Sequence, residues 1–226
     1  MSSPQLRALL EAGGAPPEHL DRLVFYGEAV LEANRHFNLT GAKSAAAFAP
    51  HILDSLTIAP QIRDSLVDVG SGGGLPAIPL AIVTDVPVLM IEPTLKKARF
   101  LEAVVEELGL EAGVVAERAE LAGHDPRFRE GFMTGTARAV ASAPTVVELL
   151  LPLIAEGGVA LLQRGAMDER ERVALSDAAL MLGGHVASET MLDGERRVIV
   201  VRKTAPTAPR FPRRTGVPEK RPLCWN

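Results

Sequence analysis

Cysteine and aromatic residues are scarce in this sequence. Its 226 residues include one cysteine, one tryptophan and one tyrosine, and aromatic residues make up 4% of the chain. The single Cys224 excludes an internal disulfide and a cysteine-rich metal site. The absence of disulfides is typical of proteins in a reducing compartment. No apolar run reaches the length of a membrane span, and the first residues lack a basic segment followed by an apolar core. We therefore expect a cytoplasmic protein, monomeric, with no membrane partner and no metal.

Basic residues are concentrated near the C-terminus, although the chain as a whole carries a net charge of -4. Positions 202–221 hold seven basic residues and one acidic residue, a local charge of +6. Such a segment can form a phosphate-binding surface that the average charge hides. Five prolines between positions 206 and 222 argue against a packed helix or strand there. We expect a disordered end, or an arm that is ordered against the body of the protein or against RNA.

Positions 66–92 predict a strand, a glycine-rich turn, a helix and a second strand. Leu66–Val69 is a short apolar run, typical of a strand buried on both faces of a parallel sheet. Positions 70–74 read Gly-Ser-Gly-Gly-Gly, which lets a ligand approach the backbone closely. Pro76 and Pro79 are tolerated in the first turn of a helix predicted from 75 to 83. The free amides at the start of that helix favour a bound carboxylate or phosphate.

The spacing of these glycines distinguishes two kinds of nucleotide site. A site for a nicotinamide or flavin dinucleotide needs a third glycine at position 75, where this sequence has Leu75. The sequence therefore argues against a dinucleotide site. The acidic Asp68 followed by alternate glycines resembles instead the first motif of Rossmann-like S-adenosylmethionine (SAM) methyltransferases. Glu92 ends the second strand, where an acidic side chain can accept both hydroxyls of a ribose. The candidate residues for binding the cofactor SAM are Asp68, Gly70, Ser71, Gly72, Gly74, Leu75 and Glu92.

The first sixty residues have helical periodicity and no strand signal. We expect Pro17 to open a helix that ends in a turn near Asn38 and Gly41, Ser44 to cap a short alanine-rich helix, and a further helix to begin at His51. His51 and Asp54 lie one helical turn apart. Without a third ligand they predict a local pair rather than a metal site.

The remainder alternates strands and helices and ends in a hairpin. We expect Thr94 to be the N-cap of a helix at 95–108. Strands are predicted at 113–117, within 132–140 and at 158–163, and helices at 144–154 and 167–182. The last two strands, 185–191 and 196–202, form a hairpin around Asp193 and Gly194. The fold class is α/β, a seven-stranded, mostly parallel sheet with helices on both faces. We divide the chain into a helical extension packed on the core (1–60), a methyltransferase domain (61–204) and a basic, proline-rich tail (205–226).

The ends of the third and fourth strands supply further candidates, because ligands bind at the carboxyl ends of parallel strands. Ala119 and Glu120 follow the third strand and are candidates for the adenine. Arg138 lies near the end of the fourth strand. We expect it to orient the cofactor or the target base by electrostatics, with a salt bridge that holds the strand end as the alternative.

Seven stretches in family order resemble the glucose-inhibited division protein B family, the 16S ribosomal RNA guanine-N7 methyltransferases. They are Asn34-x-x-x-Asn38-Leu39-Thr40, His51-Ile-Leu-Asp54-Ser55-Leu56, positions 67–76, Lys96-Lys97-x-x-Phe100-Leu101, Arg118-Ala119-Glu120, positions 138–141 and Arg210-x-Pro212-Arg213-Arg214-x-Gly216-x-Pro218. The resemblance implies a class I SAM fold, a SAM site at Gly70, Leu75, Ala119, Glu120 and Arg138, and 16S RNA or the small ribosomal subunit as partner. The candidate RNA contacts are Asn38, Arg164, Arg210, Arg213, Arg214 and Lys220. The chain departs from the family pattern at Pro50, Ala77, Ala137 and Gln163-Arg164-Gly165.

The residues at the site agree with methylation of guanine N7. Methylation of a pyrimidine carbon needs a cysteine nucleophile, and Cys224 lies in the tail. Methyltransferases that resemble the Asn-Pro-Pro-Tyr class, which act on amino groups, carry that motif after the fourth strand. Positions 136–139 of this sequence read Thr-Ala-Arg-Ala instead. Guanine N7 has a free lone pair and needs positioning rather than a general base. The alternatives are a SAM enzyme acting on another RNA position or on a small molecule, and a non-catalytic RNA-binding assembly protein.

Overall fold

A seven-stranded sheet with strand order β3-β2-β1-β4-β5-β7-β6 forms the centre of the molecule. The computed structural model describes residues 3–138, 141–192 and 194–225. The first five strands pair in parallel, and β7 pairs antiparallel with both β5 and β6. The strands are β1 (Leu66–Val69), β2 (Val88–Ile91), β3 (Ala112–Val115), β4 (Phe132–Ala137), β5 (Ile154–Arg164), β6 (Gly184–Met191) and β7 (Arg197–Lys203). The predicted fold class is therefore confirmed.

Helices cover both faces of this sheet. Their bounds are α1 (Ser3–Ala12), α2 (Leu20–Ala33), α3 (Ala45–Leu56), α4 (Ala77–Thr84), α5 (Leu95–Leu108), α6 (Ala119–Ala122), α7 (Ala143–Leu150), α8 (Glu169–Met181) and α9 (Val217–Lys220). Successive strand residues point to opposite faces, so Leu161 packs in one core and Leu162 in the other. The first core contains α1 to α5, and the second contains α7, α8 and part of the tail.

Most predicted elements lie within two residues of the observed ones, and the differences have local causes. The helix after the glycine turn begins at Ala77 rather than 75, because the turn continues through Gly74 and Pro76 takes the N-cap position. The helix predicted to reach 154 ends at Leu150, and Ile154 already belongs to β5. Positions 149–154 are almost uniformly apolar and buried, so periodicity could not separate helix from strand there. The predicted hairpin turn residue Asp193, like Ala139 and Val140, lies outside the described residues.

The N-terminal extension differs from its prediction in two helices, the first of which, α2, ends at Ala33, before the predicted turn near Asn38 and Gly41. Ser44 caps α3 as expected, its hydroxyl accepting from the Ala47 amide at 3.3 Å. The predicted second helix at His51 is wrong, because α3 continues from Ala45 to Leu56 with Pro50 inside it. The fully buried Phe48 and Ile52 lie on either side of this proline. Their packing on the first core holds the helix together where Pro50 removes one backbone hydrogen bond.

The C-terminal tail is ordered against the body of the protein, on the face that carries α7. Phe211 is 3% exposed and belongs to the second core. The Arg129 guanidinium donates to the carbonyl oxygens of Thr207 (2.7 Å) and Phe211 (2.9 Å). The tail therefore does not fold back onto the helical N-terminal region, which packs in the opposite core. Its prolines do not prevent this docking, because side chains of the body bond its free carbonyl groups.

One ion pair fastens the basic part of the tail to α7. The Arg213 guanidinium donates to both carboxylate oxygens of Glu148, at 2.8 and 2.6 Å, and the Arg213 backbone amide donates to the same carboxylate at 2.9 Å. The Glu148 side chain is fully buried, whereas the Arg213 side chain is 27% exposed. Burying a carboxylate is costly unless it is paired, so Glu148 depends on Arg213.

Replacing Arg213 by methionine should destabilise the protein by about 2 to 4 kcal/mol, because Glu148 would remain buried without its partner. The midpoint and slope of denaturant unfolding measure this change. The exposed Arg214 is the matched control, and Arg214→Met should change the free energy of unfolding by less than about 0.5 kcal/mol. Equal effects of the two substitutions would show that the ion pair contributes nothing to stability.

Candidate functional site

The glycine turn after β1 adopts left-handed backbone conformations at alternate positions. Gly70, Gly72 and Gly74 have φ values of 71°, 57° and 100°. A Cβ on Gly72 would meet no atom closer than 3.8 Å, so the turn is open at this point. A Cβ on Gly74 would lie 2.6 Å from the Ile78 side chain in α4. Gly72 therefore leaves room for a ligand, while Gly74 is required by the packing of the turn on α4.

Two buried side chains hold this turn in place. Glu92, at the end of β2 and 3% exposed, accepts from the amide of Gly72 at 2.9 Å and from that of Thr94 at 2.8 Å. Thr94 takes the predicted N-cap position of α5, but its side chain makes no cap hydrogen bond. The hydroxyl of Tyr26, in α2, donates to the carbonyl oxygen of Gly73 at 3.0 Å. The N-terminal helices thus help to shape the turn.

Asp68 is a buried carboxyl group with one unused oxygen. Its Oδ1 accepts from the hydroxyl of Thr136 at 2.8 Å, whereas its Oδ2 is buried and has no hydrogen-bond partner among the described residues. Burial raises the pKa of Asp68 to about 7, although the hydrogen bond from Thr136 favours the ionised form. The nearby Ser71 hydroxyl donates to the Asp68 backbone carbonyl oxygen at 3.1 Å. A buried acceptor of this kind is suited to a ligand that brings a positive or hydrogen-bonding group.

Two cavities meet at Gly70. The glycine-loop cavity, about 390 Å³, is lined by the turn itself, by Leu39 and His51 of the N-terminal region, and by Lys97 and Arg138. The tail-side cavity, about 210 Å³, is lined by Gly70, Ile91, Ala119, Glu120, Pro218 and Glu219 among others. The volume of the glycine-loop cavity is in the usual range for small-molecule sites, and the tail-side cavity extends it across Gly70. A ligand with two dissimilar ends can occupy both cavities across Gly70.

The tail forms one wall of the tail-side cavity, which the sequence did not reveal. Pro218 and Glu219 line it, and the amide of Gly216 donates to Glu120 Oε1 at 2.8 Å. Glu120 therefore lines the tail-side cavity and also contacts the tail. Nothing in the periodicity of a proline-rich segment could have located it, because its position depends on the docking of Phe211 and Arg213.

Arg138 connects the end of β4 to helix α3. Its guanidinium contacts Asp54 Oδ2 at 3.3 Å and donates to the His51 carbonyl oxygen at 3.1 Å and to His51 Nδ1 at 2.7 Å. Because an arginine can only donate, Nδ1 must be unprotonated. Burial and the nearby Arg138 lower the pKa of His51. His51 and Asp54 are therefore not the simple local pair that was predicted, since Arg138 contacts both.

A third opening, the arginine cavity, lies on the other side of Arg138. It measures about 270 Å³ and is lined by Asp54, Arg138, Gln163, Arg164, Arg196 and Arg197 with neighbouring residues. Asp54 Oδ1 also accepts from Arg196 at 2.8 Å. Because Arg138 borders both this cavity and the glycine-loop cavity, the two are adjacent.

The residues predicted to contact RNA fall into two groups. Asn38, Arg210, Arg214 and Lys220 have exposed side chains, and Arg210 lies over the ring of Phe211. Arg164 and Arg213 are instead engaged within the protein, with Glu171 (2.7 Å) and Glu148 as partners. Sequence reasoning also missed Asn34 as an organiser of this region. Its side-chain oxygen accepts from the amides of Leu39 (2.8 Å) and Thr40 (3.0 Å) and so shapes the loop that carries Asn38.

Two searches concern other kinds of site. Within residues 3–138, 141–192 and 194–225, no three acidic, histidine or cysteine side chains are grouped so that they could hold a metal ion. None of the helices described for this chain has the length and apolar character needed to cross a membrane.

Comparison with known proteins identifies the family. The family model described as rRNA small subunit methyltransferase G matches residues 19–200. The chain belongs to this family. A relative named ribosomal RNA small subunit methyltransferase G from Pelotomaculum thermopropionicum is 41% identical over 210 residues, which cover 88% of each chain. A relative of the same name from Leuconostoc citreum is 35% identical over 233 residues, covering 97% of this chain and 98% of the other.

Solved structures of lower identity share the fold of this methyltransferase family member. A mutant of MtNAS in complex with S-adenosylmethionine is 17% identical with a TM-score of 0.54, covering 82% of this chain and 73% of the other. The Thermus thermophilus 16S rRNA N2 methyltransferase RsmC, in complex with AdoMet and guanosine, is 16% identical with a TM-score of 0.51, covering 70% of this chain and 40% of the other. At these identities the likeness concerns the fold alone.

The described residues fit the predicted cofactor SAM. The free Oδ2 of Asp68 suits the ammonium group of its methionine moiety, since a buried acceptor needs a donor. Glu92 gives one lone pair to each of two amides, and a carboxylate has about four acceptor sites, so it can also accept ribose hydroxyls. Ile91 and Ala119 give the tail-side cavity apolar walls that suit an adenine.

SAM should bind more tightly as the pH rises from about 5 to about 7, because the folded Asp68 keeps its proton up to about pH 7 and only the carboxylate can pair with an ammonium group. Well below its pKa the dissociation constant should change by about tenfold per pH unit, and above it the curve should level off. Titration calorimetry in buffers of different ionisation enthalpy measures both the affinity and the proton that Asp68 releases.

Asp68→Asn is the control for this prediction. Asparagine has no titrating proton, so the SAM affinity of this variant should be weaker near neutral pH and should lose the tenfold change per pH unit. His51 lines the same cavity and has a lowered pKa, so any pH dependence that remains in the variant comes from His51 rather than from Asp68. A pH-independent affinity in the unaltered protein would contradict the assignment of Asp68.

Proposed function

We propose that this protein transfers the methyl group of SAM to N7 of a guanine in the 16S ribosomal RNA of the small subunit. Membership of the rRNA small subunit methyltransferase G family supports a ribosomal RNA substrate. The carboxyl groups around the glycine turn support SAM as the methyl donor. The observation that carries the choice of chemistry is the position of Arg138, which borders both the glycine-loop cavity and the arginine cavity.

The geometry around Arg138 suits a reaction that needs orientation more than proton transfer. SAM, when bound, supplies an electrophilic methyl group on a sulfonium. Guanine N7 has an in-plane lone pair, so no group on the protein has to remove a proton before the attack. Arg138 is fixed by His51 and Asp54 and can orient the acceptor without moving. Its role is positioning.

The charges near Arg138 are balanced in a way that tolerates the product. Methylation at N7 leaves a positive charge on the base, which an uncompensated arginine would oppose. The carboxylate of Asp54 lies 3.3 Å from Arg138, and its side chain is only 11% exposed. Because the pKa of His51 is lowered, this imidazole adds no further positive charge near neutral pH. Asp54 therefore reduces the repulsion between Arg138 and the positively charged product, while Arg138 remains a hydrogen-bond donor for the base.

The decisive experiment is methyl transfer from SAM to purified small ribosomal subunits that lack the modification, followed by mass mapping of the RNA. We expect one 7-methylguanosine in 16S RNA. Arg138→Lys should lower kcat much more than it changes SAM affinity, because lysine cannot reproduce the fork of contacts to His51 and Asp54. Transfer to another RNA position or to small molecules alone would replace this proposal. SAM binding without transfer to any substrate would favour the non-catalytic alternative.

The exposed basic side chains of the tail are proposed to bind RNA phosphates. Arg210, Arg214, Lys220 and Arg221 are all exposed on the segment whose inner side is docked on the body. Docking fixes the backbone of the segment, so less conformational entropy is lost when RNA binds. Arg213 is left out of this group, because Glu148 occupies its guanidinium.

Changing Arg210, Arg214, Lys220 and Arg221 together to glutamine should weaken RNA binding and flatten its salt dependence. Each lost phosphate contact should reduce the slope of log K against log salt by roughly 0.7 to 0.9. SAM affinity should not change, since these side chains point to solvent rather than into the tail-side cavity. Arg7→Gln, on the surface of α1, is the control for a general loss of positive charge. An unchanged slope in the fourfold variant would remove the tail from the RNA site.

A further inference from the structure

We propose that the arginine cavity is the subsite for the target guanine and that Gln163 recognises the hydrogen-bond donor edge of this base. The inference rests on the proposed function and adds to it the residue that selects the base. It starts from a polar atom that the fold buries and leaves unused. Gln163 lies near the end of β5 and is 9% exposed.

The contacts of Gln163 fix the orientation of its amide. Its Nε2 donates to the Asp54 backbone carbonyl oxygen at 2.7 Å, and the hydroxyl of Thr57 lies 3.4 Å away. A flipped amide would place Oε1 against that carbonyl oxygen, and two acceptors repel each other. The observed orientation leaves Oε1 buried, with no hydrogen-bond partner among the described residues. Such an acceptor costs free energy unless a ligand supplies the donor.

An unused acceptor distinguishes between the possible ligands of the arginine cavity. Arg138, Arg196 and Arg197 would by themselves attract a phosphate. Phosphate oxygens are acceptors and cannot satisfy Gln163 Oε1, whereas a nucleobase with N–H groups can. The combination of arginines with one buried acceptor therefore favours a nucleotide whose base faces Gln163. The Arg196 side chain, 47% exposed at the mouth of the cavity, is placed to meet its phosphate.

Among the bases, guanine matches this arrangement. Its N1–H and N2 amino groups are adjacent donors, and Gln163 Oε1 can accept from the amino group with N1–H beside it. Adenine offers a donor only at its N6 amino group, next to the acceptor N1, so it presents one donor where guanine presents two. Guanine N7 and O6 lie on a different edge from the N2 amino group. With the donor edge at Gln163, O6 can accept from Arg138 while the N7 lone pair faces the adjoining glycine-loop cavity.

The test compares guanosine with inosine, which lacks only the N2 amino group, at the mapped position of reconstituted small subunits. For the unaltered protein, kcat/KM with guanosine should exceed that with inosine by about 10- to 100-fold, the effect of leaving a buried acceptor unpaired. In Gln163→Met the value with guanosine should fall to that with inosine, so that the ratio approaches one. SAM affinity and the thermal midpoint report whether the variant has kept its fold.

Two further variants separate recognition from a structural effect. Gln163→Glu keeps an acceptor of the same size in the cavity, and its protonated oxygen can donate to the Asp54 carbonyl in place of Nε2, so this variant should retain a preference for guanosine. Gln61→Met makes the same chemical change in the turn before β1, outside the arginine cavity, and should behave as the unaltered protein. Equal rates of the unaltered protein on guanosine and inosine would overturn the role of Gln163, even if Gln163→Met failed to fold. An absence of methylation on guanosine itself would overturn the proposed function as well.

Discussion

The carboxylate of Glu92 is the interaction on which the site depends most. It bonds the amides of Gly72 and Thr94, so it joins the glycine turn after β1 to the start of the helix after β2. A turn built from glycines has little conformational preference of its own, because glycine loses more backbone entropy on folding than any other residue. Glu92 compensates for this freedom from one side and Tyr26, through Gly73, from the other. The position of the glycine-loop cavity follows from these two contacts.

The N-terminal helices and the C-terminal tail complete the site from opposite faces of the sheet. Helices α2 and α3 belong to the first core and bring His51 and Asp54 to Arg138. The tail packs in the second core, and the ion pair between Arg213 and Glu148 places its residues 216–219 at the tail-side cavity. A Rossmann-like sheet supplies only the strand ends between these walls. The proposed substrate-binding features of this family member therefore depend on the segments that flank the common fold.

Several polar groups near the strand ends are buried at a cost to the free protein. Asp68 Oδ2, Glu117 Oε1 and Gln163 Oε1 have no partner among the described residues, and the Arg138 side chain, 18% exposed, is held by His51 and Asp54. Arg138 and Gln163 line cavities that the proposed reaction uses, and Asp68 lies two residues before the cavity-lining Gly70. Polar groups with unused hydrogen-bonding capacity are expected at functional sites, where a ligand completes the bonding. Leaving these groups without partners lowers the stability of the free protein, but it keeps them in position to bind SAM and the target base in the proposed reaction.

Local pattern determined the sheet, the glycine turn and the candidate carboxyl groups. Apolar runs in the sequence predict β1 and β2. Asp68 and Glu92 lie at the ends of these strands, and because parallel strands end at the same edge of the sheet, the two side chains are predicted to lie close together. The sequence could not show that α3 continues through Pro50, that Arg213 forms an ion pair with Glu148, or that the side-chain oxygen of Gln163 has no hydrogen-bond partner among the described residues. The last two outcomes depend on contacts between residues 65 and 109 positions apart, and the first depends on the packing of Phe48 and Ile52 in the first core. Only the tertiary structure brings these groups together.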